Sequence, residues 1–277
     1  MESSHTDHTS PSTALIVSAT DSGGCSGMQA DLRVCGSLRV FAVCAVTAVT
    51  AQNSQGVKGG MEVPPELLRD QIRCAFAQHR PAAVKVGLLP SEASVEAVFS
   101  TLGELDAANI ILDPVMCATS GPLMRGGSEA WCDAIRRHLR QTTLVTPNIP
   151  EFSRLSGRTA SSPGEIRKAA RELATSTEAC AILVKGGHTD SDTCTDILFQ
   201  ADSGKVKSFT SRKVQTCNLR GTGCTLSTAI ACYIARGYEL QEAVLKAHTY
   251  LQEAIRSACD VRYLGGAGPV DHFAHIH

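Results

Sequence analysis

The sequence lacks the marks of several protein classes. No apolar stretch reaches the roughly 18 residues that a membrane-spanning helix needs, and residues 1–12 have neither the basic start nor the apolar run of a signal peptide. The 26 basic and 27 acidic residues nearly balance and form no basic cluster, which argues against nucleic acid or a membrane surface as partner. We therefore expect a cytoplasmic protein that acts on small molecules, with a disordered tail over residues 1–12.

Metal-binding and disulfide patterns are missing as well. No two of the 12 cysteines have the Cys-x-x-Cys spacing of a zinc site, and the nine histidines include no His-Glu-x-x-His arrangement. The cysteines are scattered through apolar runs, such as the one around Cys44. This pattern predicts that most of them are reduced core residues, and it argues against a structural or catalytic transition metal.

The chain does contain the pattern of an α/β fold. Of its 277 residues, 43% are hydrophobic, which is enough to bury a large core. Short, nearly continuous apolar runs, typical of buried parallel strands, alternate with helical patterns. This alternation predicts a three-layer α/β/α sandwich with a mostly parallel central sheet, formed by a single domain over residues 13–277.

The predicted strands cover residues 14–19, 40–49, 83–86, 109–112, 143–145 and 181–184, and a hairpin follows over residues 194–199 and 205–209. The predicted helices cover residues 29–38, 65–79, 91–105, 129–139, 163–174, 222–235 and 240–258. Ligands of such sheets bind at the carboxyl ends of the strands, so the polar residues that follow each strand are the candidate site.

A glycine-rich turn, Gly221-Thr222-Gly223-Cys224, stands directly before the apolar helix that begins near residue 222. The free N–H groups of a first helical turn and the helix dipole favour a phosphate, and the glycines let it come close. A thiol at this position should have a lowered pKa, so Cys224 is a candidate base or anion stabiliser. An ordinary capped helix with a small buried cysteine is the alternative.

Carboxylates, an amide and a lysine follow three of the central strands. Asp113 comes after the fourth predicted strand, and Asn148 and Glu151 follow the fifth. Such oxygen ligands can hold Mg²⁺ on the phosphates of a nucleotide, although helix capping is an alternative role for Asn148. Lys185 follows the sixth strand, where a cation beside small residues suits a phosphate.

Two further candidates lie nearer the start of the chain. Asp31 follows a glycine-rich loop and would lie on the first turn of the first helix, where it is either part of a ligand site or an acid that favours the helix start. Gln52 offers both donors and an acceptor to the edge of a heterocycle, with a surface amide as the alternative.

Ordered motifs along most of the chain resemble the hydroxymethylpyrimidine/phosphomethylpyrimidine kinases of thiamin biosynthesis. These enzymes belong to the ribokinase-like superfamily, which also contains pyridoxal kinases. The resemblance extends from about Ala14 to Phe273 and rests on Gly-Met-Gln-Ala-Asp at 27–31, Thr-Ala-Gln-Asn-Ser-Gln-Gly-Val at 50–57, Lys-Val-Gly-Leu-Leu at 85–89, Leu-Asp-Pro-Val-Met at 112–116, Thr-Pro-Asn-Ile-Pro-Glu at 146–151, Val-Lys-Gly-Gly-His at 184–188, Gly-Thr-Gly-Cys-Thr-Leu-Ser at 221–227 and Gly-Pro-Val-Asp-His-Phe at 268–273.

The resemblance implies a reaction and its cofactors. ATP would phosphorylate the 5-hydroxymethyl group of the pyrimidine and then the monophosphate so formed, with Mg²⁺ on the nucleotide, and the protein would be a homodimer. The turn that ends at Cys224 would be the anion hole, and Cys224 would stand where ribokinase relatives carry an aspartate base.

The resemblance also assigns the other site residues by position. Asp113 and Glu151 would organise Mg²⁺, while Lys185 and Asn148 would meet the nucleotide. The pyrimidine pocket would be lined by Asp31, Gln52, Leu88 and Val115, with smaller contributions from Ala19, Ser26 and Thr50.

The sequence departs from the family pattern in one loop and at one further residue. The first loop reads Ala-Thr-Asp-Ser-Gly-Gly-Cys-Ser-Gly over residues 19–27, where the family usually has Gly-Thr-Asp-Pro-Ser-Gly-Gly-Ala-Gly. The bulkier residues would narrow the space around the acceptor. Arg220 precedes the final glycine motif where histidine is frequent, and it is either an extra cation beside the anion hole or a solvent-facing side chain.

Two alternative functions remain. One is a pyridoxal or pyridoxine kinase, which has the same fold and a similar hydroxymethyl acceptor on a six-membered heteroaromatic ring. The other, which the altered first loop suggests, is a sensor that binds the pyrimidine without catalysis. A dinucleotide-dependent oxidoreductase is disfavoured because no Gly-x-Gly-x-x-Gly follows the first strand. The glycines at 126–127 predict a flexible flap over the phosphates.

Overall fold

The central sheet follows from apolar runs that are short enough to be strands and buried on both faces. A computed structural model describes residues 11–116, 127–160, 162–186 and 192–276, so the expected flap at Gly126 and most of the expected tail lie outside the described residues. The strands are β1 (Thr13–Ser18), β2 (Phe41–Val46), β3 (Ala48–Asn53), β4 (Gly56–Glu62), β5 (Ala83–Val86), β6 (Ile110–Leu112), β7 (Leu144–Val145), β8 (Ala181–Val184), β9 (Thr193–Gln200) and β10 (Val206–Arg212).

Eight of these strands form one sheet in the order β10-β9-β8-β7-β6-β5-β1-β2. The pairs from β2 across to β8 are parallel, and β9 and β10 add an antiparallel hairpin at one edge. Residues of β1 alternate between the two faces: Leu15 and Val17 belong to one apolar cluster, and Ala14 and Ile16 to the other. A sheet with apolar side chains on both faces needs a layer of helices on each.

The helices supply these two layers. They are α1 (Gly27–Ser37), α2 (Pro65–His79), α3 (Glu92–Glu104), α4 (Glu129–His138), α5 (Ile149–Ser156), α6 (Pro163–Thr177), α7 (Thr222–Ala235) and α8 (Leu240–Ser257). Apolar residues of α2 to α6 pack on one face of the sheet, and those of α1, α7 and α8 pack on the other. The predicted three-layer sandwich with a mostly parallel sheet is therefore confirmed. None of the helices in the described ranges has the length and apolar character to cross a bilayer.

The prediction of one strand over residues 40–49 is wrong. The run breaks at Thr47, whose N–H donates to the Ser18 carbonyl (3.1 Å) and whose hydroxyl donates to the Leu88 carbonyl (2.7 Å). The chain then leaves the main sheet as β3, which pairs only with β4. Neither β4 nor α5 was predicted, because the three glycines of β4 weaken a strand pattern and α5 is only 8 residues long.

The C-terminal segment packs its histidine against the α1–α7–α8 layer. The His272 side chain is 3% exposed, and its Nε2 lies 3.1 Å from the Thr225 hydroxyl. The His272 carbonyl accepts hydrogen bonds from Tyr250 (2.7 Å) and Ser37 (2.5 Å). Burial, assisted by the positive charge of Arg33, lowers the pKa of His272 to about 4. The folded protein therefore holds this imidazole neutral.

We expect His272→Gln to reduce the loss of stability in mild acid. The folded-state pKa of about 4 lies below the ordinary value of 6.5. The stability that the neutral imidazole contributes is therefore complete above pH 6.5 and is lost as the pH falls toward 4. By pH 5 the loss amounts to about 2 kcal/mol. Urea unfolding of wild type and variant between pH 8 and pH 5 measures it, and parallel pH profiles would contradict the assignment.

Candidate active site

A cavity of about 670 Å³ lies at the carboxyl ends of the parallel strands. The residues just after β1, β5, β6, β7 and β8 all reach it, as the rule for open α/β sheets leads one to expect. Every predicted site residue except Asp31 lines this cavity: Ala19, Ser26, Thr50, Gln52, Leu88, Asp113, Val115, Asn148, Glu151, Lys185, Gly221, Thr222, Gly223 and Cys224.

Asp31 is fully buried and does not line the cavity. Its carboxylate accepts hydrogen bonds from Lys85 Nζ (2.7 Å) on β5 and from the Thr228 hydroxyl (2.7 Å) on α7. The expectation that Asp31 lines a pyrimidine pocket is therefore wrong. The missed signal was Lys85, because a lysine inside a buried apolar strand needs an opposite charge beside it.

The predicted anion turn lies where the glycine-rich loop after β1 meets the start of α7. Gly221 has φ +81°, and a Cβ there would overlap the carbonyl oxygen of Cys25. Among the described residues no side chain caps the start of α7. The Thr222 N–H makes only a 3.5 Å contact with the Leu219 carbonyl, and the next N–H groups, which have no acceptor within the helix, can bind a ligand. The dipole of this 14-residue helix adds a partial positive charge at the same point.

Cys224 lies on the first turn of α7 and faces the cavity. Burial raises the pKa of its thiol to about 11, although the positive charge of Lys85 and a hydrogen bond with the Gly27 backbone oppose this effect. The prediction of a lowered pKa is wrong, because desolvation outweighs the helix start and the nearby cation. The thiol is protonated at neutral pH.

Asp113 and Lys185 form an ion pair beside the anion turn. Lys185 Nζ lies 2.6 Å from Asp113 Oδ1, and a Cβ on Gly223 would lie 3.3 Å from that nitrogen and 3.7 Å from Asp113 Oδ2. The lysine charge lowers the pKa of the Asp113 carboxyl against the effect of burial. The turn, the lysine and the carboxylate thus meet within a few ångströms.

Glu151 and Asn148 cap the start of α5. The Asn148 side chain accepts from the Glu151 N–H (2.8 Å), and Glu151 Oε2 accepts from the Asn148 N–H (2.8 Å), which is a capping box. Helix capping, the alternative considered for Asn148, is therefore what the structure shows. Burial raises the pKa of Glu151 to about 7.

The donor set fits a divalent cation only if phosphate oxygens complete it. Asp113 Oδ2 receives only a 3.4 Å contact from Ser227, while Oδ1 is used by Lys185 and Thr146. Glu151 uses one carboxylate oxygen in its capping bond, and its carboxylate also accepts a hydrogen bond from the Met116 backbone. Within the described ranges no three His, Cys, Asp or Glu residues form a metal site by themselves. Mg²⁺ commonly binds through one or two carboxylates together with substrate phosphates and waters.

The other part of the cavity is mostly apolar. Ala19, Ala48 and Leu88 form a small buried cluster against which Val115 packs. The amide of Gln52 reaches the Ser26 hydroxyl (3.4 Å) at its edge. These side chains form an apolar floor with one amide and one hydroxyl beside it, which suits a small polar heteroaromatic ring.

Asp21 organises the loop after β1 and was not predicted as a site residue. Its Oδ1 accepts from the Gly23 N–H (2.7 Å), and its Oδ2 accepts from the N–H groups of Cys25 (3.0 Å) and Ser26 (2.8 Å). Against the effect of burial, hydrogen bonds from the Gln52 and Ser26 side chains and from the Gly23 and Ser26 N–H groups lower the pKa of Asp21. An aspartate at the head of a glycine-rich loop is the signal that points to this role.

A second missed group lies between β10 and α8. Ser211 and Gln252 line the cavity there, and within the described part of the chain Ser211 Oγ and Gln252 Oε1 are buried without a hydrogen-bond partner. His248 and Asp196, which accepts from the Gly186 N–H (2.9 Å), lie on the same wall. Both residues therefore bring polar side chains to this wall of the cavity.

Comparison with known proteins decides the family. The profile of the phosphomethylpyrimidine kinase family matches residues 21–271. The chain belongs to the phosphomethylpyrimidine kinase family. A hydroxymethylpyrimidine/phosphomethylpyrimidine kinase of Rhizobium meliloti is 37% identical over 262 residues, which cover 94% of this chain and 96% of that protein.

Two further comparisons set this phosphomethylpyrimidine kinase family member among its relatives. A thiamine biosynthesis bifunctional protein of Geobacter sulfurreducens is 39% identical over 93% of the chain, which spans only 51% of that longer protein. The structure of a pyridoxal kinase of Staphylococcus aureus, in complex with AMP-PCP and pyridoxal, superposes with a TM-score of 0.84 at 26% identity, covering 95% of this chain and 94% of that one.

We expect Gly221→Ala to destabilise this kinase far more than Gly157→Ala. Both glycines have positive φ, but a Cβ at Gly157 meets no described atom within 4 Å, whereas one at Gly221 overlaps the Cys25 carbonyl. The control should lose about 1 kcal/mol from the left-handed backbone alone, and Gly221→Ala should lose several kcal/mol more because two loops must separate. Urea unfolding measures both, and equal losses would disprove the close contact.

Proposed function

We propose that this chain transfers a phosphoryl group from ATP to the hydroxymethyl group of 4-amino-5-hydroxymethyl-2-methylpyrimidine, and then a second one to the monophosphate so formed. The observation that supports this best is the meeting of the anion turn, the Asp113–Lys185 pair and a small apolar pocket in one cavity. The family adds the substrate class, because relatives that match nearly the whole chain are named as kinases of this pyrimidine.

The charged part of the cavity suits the donor nucleotide. Lys185 would contact its transferred phosphate, and the N–H groups at the start of α7 would bind the oxygens that become more negative during transfer. Asp113 and Glu151 would hold Mg²⁺, which when bound neutralises phosphate charge and orients the transferred group. The unpartnered Ser211 and Gln252 would bind polar groups at the far end of the nucleotide.

The apolar part of the cavity suits the acceptor. Ala19, Leu88 and Val115 would pack against the pyrimidine ring, and the Gln52 amide would bind its polar edge. Asp31 acts indirectly. It forms an ion pair with Lys85, and the positive charge of Lys85 acts, against the effect of burial, to lower the pKa of both Cys224 and Asp113.

The phosphoryl transfer depends mainly on the alignment of the acceptor oxygen with the γ-phosphate. The acceptor oxygen attacks the γ-phosphorus, the bond from that phosphorus to the bridging oxygen breaks, ADP leaves, and the hydroxyl proton is released. Such loose transition states need charge neutralisation more than a strong base. Since the Cys224 thiol is protonated at neutral pH, we assign it a contact with the acceptor group rather than removal of its proton.

Pyridoxal kinase is the second candidate, because the Staphylococcus aureus pyridoxal kinase superposes so closely. Its 26% identity is well below the 37% shared with the Rhizobium meliloti pyrimidine kinase. We therefore assign pyrimidine phosphorylation as the main reaction. The shared fold makes pyridoxal the side substrate to test. A non-catalytic sensor has less support, since binding alone would not need the Asp113–Lys185 pair at the anion turn.

Product analysis tests the proposed reaction. With Mg-ATP, we expect wild type to convert the pyrimidine and its monophosphate to the diphosphate, with pyridoxal converted slowly or not at all. Cys224→Ala should lose at least tenfold in kcat because the acceptor group loses a contact beside the transferred phosphate. Cys180→Ala, at an exposed thiol away from the cavity, is the control. Turnover of pyridoxal alone would move the protein to the second candidate, and no turnover would leave only the sensor.

The magnesium assignment has a matched pair of variants. Glu151 and Glu165 both close capping boxes, and glutamine preserves such a box while it removes the charge. We expect Glu151→Gln to raise the Mg²⁺ concentration for half-maximal rate roughly tenfold, because a ligand loses its charge. Glu165→Gln should leave the Mg²⁺ dependence unchanged. An unchanged dependence in both variants would remove Glu151 from the metal site.

A further inference from the structure

Arg220 is held at the junction of the two loops that border the anion turn. Its N–H donates to the Gly268 carbonyl (3.1 Å), which fixes the backbone just before Gly221. Gly221 in turn packs on the Cys25 carbonyl. The Arg220 side chain is half-buried and lines the cavity.

One nitrogen of this guanidinium is buried and unused. Arg220 Nη1 is shielded from solvent and has no hydrogen-bond partner within residues 11–116, 127–160, 162–186 and 192–276. A buried guanidinium N–H without an acceptor costs free energy, and the cost is removed when an anion binds. No described side chain neutralises this nitrogen, and Arg220 lines the cavity with part of its surface exposed, so its positive charge is available to an anionic ligand there.

The charge of Arg220 acts on the loop after β1. It lowers the pKa of the Cys25 thiol against the effect of burial, whereas Lys85 is the cation that acts most strongly on Cys224. Lys185 is paired with Asp113 on the donor side of the turn. The geometry agrees: Gly221, the next residue after Arg220, packs on Cys25 and Ser26, and the Ser26 hydroxyl lies 3.4 Å from the Gln52 amide, so Arg220 adjoins the acceptor side.

The two acceptors of the proposed reaction differ in charge at this place. The hydroxymethylpyrimidine is neutral there, whereas its monophosphate carries close to two negative charges at neutral pH. The apolar cluster of Ala19, Ala48 and Leu88 and the neutral Gln52 offer nothing to balance them. A guanidinium binds phosphate oxygens through two parallel N–H groups, which an imidazole cannot do.

We propose that Arg220 binds the phosphate of the monophosphate acceptor and so favours the second phosphoryl transfer over the first. The inference rests on the proposed function, because it takes the monophosphate as a substrate. It assigns Arg220 to acceptor specificity, while Lys185 serves the donor.

Steady-state kinetics with each acceptor at saturating Mg-ATP tests the assignment. Arg220→Gln should raise KM for the monophosphate roughly 10- to 100-fold, the usual cost of a lost charge-assisted hydrogen bond. KM for the unphosphorylated pyrimidine and for ATP should change less than twofold. Arg220→Lys, which keeps one charge without the fork, and Arg220→His should give intermediate values. An equal rise for both acceptors, or a rise in KM for ATP alone, would overturn the proposal.

Arg33→Gln is the control for a general effect on the loop. Arg33 also acts on Cys25 and donates to the Gly24 carbonyl, but it does not line the cavity. Its loss should therefore affect the two acceptors equally. A selective loss for the monophosphate in Arg33→Gln as well would assign the effect to loop position and contradict a direct contact.

Calorimetric binding separates this proposal from the proposed function. If wild type phosphorylates neither acceptor, the proposed function fails. Tighter binding of the monophosphate to wild type than to Arg220→Gln would then still support the contact. Equal affinity of the two proteins for the monophosphate, or no binding to wild type, would overturn it. Unfolding curves of both proteins in the same buffer show whether the variant is folded.

Discussion

The buried ion pair of Asp31 and Lys85 is the interaction on which the site depends. Both side chains have no solvent exposure, and the Thr228 hydroxyl adds a third contact from α7. Loss of one partner from such a pair commonly costs about 3–5 kcal/mol, because the other charge stays buried alone. The pair joins α1, β5 and α7 at one point, so it fixes the start of α7 against the sheet. The position of the anion turn follows from that.

Near this ion pair, positively and negatively charged side chains alternate around the anion turn. The positive charge of Lys85 lowers the pKa of Asp113, and Lys185 forms an ion pair with the same carboxylate. Asp113 is thereby kept ionised in spite of its burial, while Glu151, which shares less of that positive charge, has its pKa raised to about 7. Two carboxylates so close would repel each other without a cation between or beside them. The cavity therefore favours a ligand that brings negative phosphates together with a divalent cation.

The sequence predicted the layers of the fold, and all but one of the predicted site residues line the cavity, because strand periods and helix starts are local signals. It failed where the outcome depends on long-range contacts. The residues near Thr47 in the sequence give no sign of its hydrogen bond to the Leu88 carbonyl. This hydrogen bond marks the end of β2. The side chain that neutralises Asp31 lies 54 residues away. The pKa of Cys224 was predicted from the helix start alone, although burial by distant segments decides it.

The similarity to pyridoxal kinases limits where substrate choice can reside. The fold is shared over 95% of the chain, so the fold itself cannot discriminate between the two acceptors. Discrimination must come from side chains that border the acceptor pocket, which here are the Gln52 amide, the loop organised by Asp21, and Arg220. Of these, Arg220 alone carries a positive charge. Under the proposed function, ring recognition would belong to Gln52 and the apolar cluster and recognition of an acceptor phosphate to Arg220, so that different residues in one cavity would make the two selections.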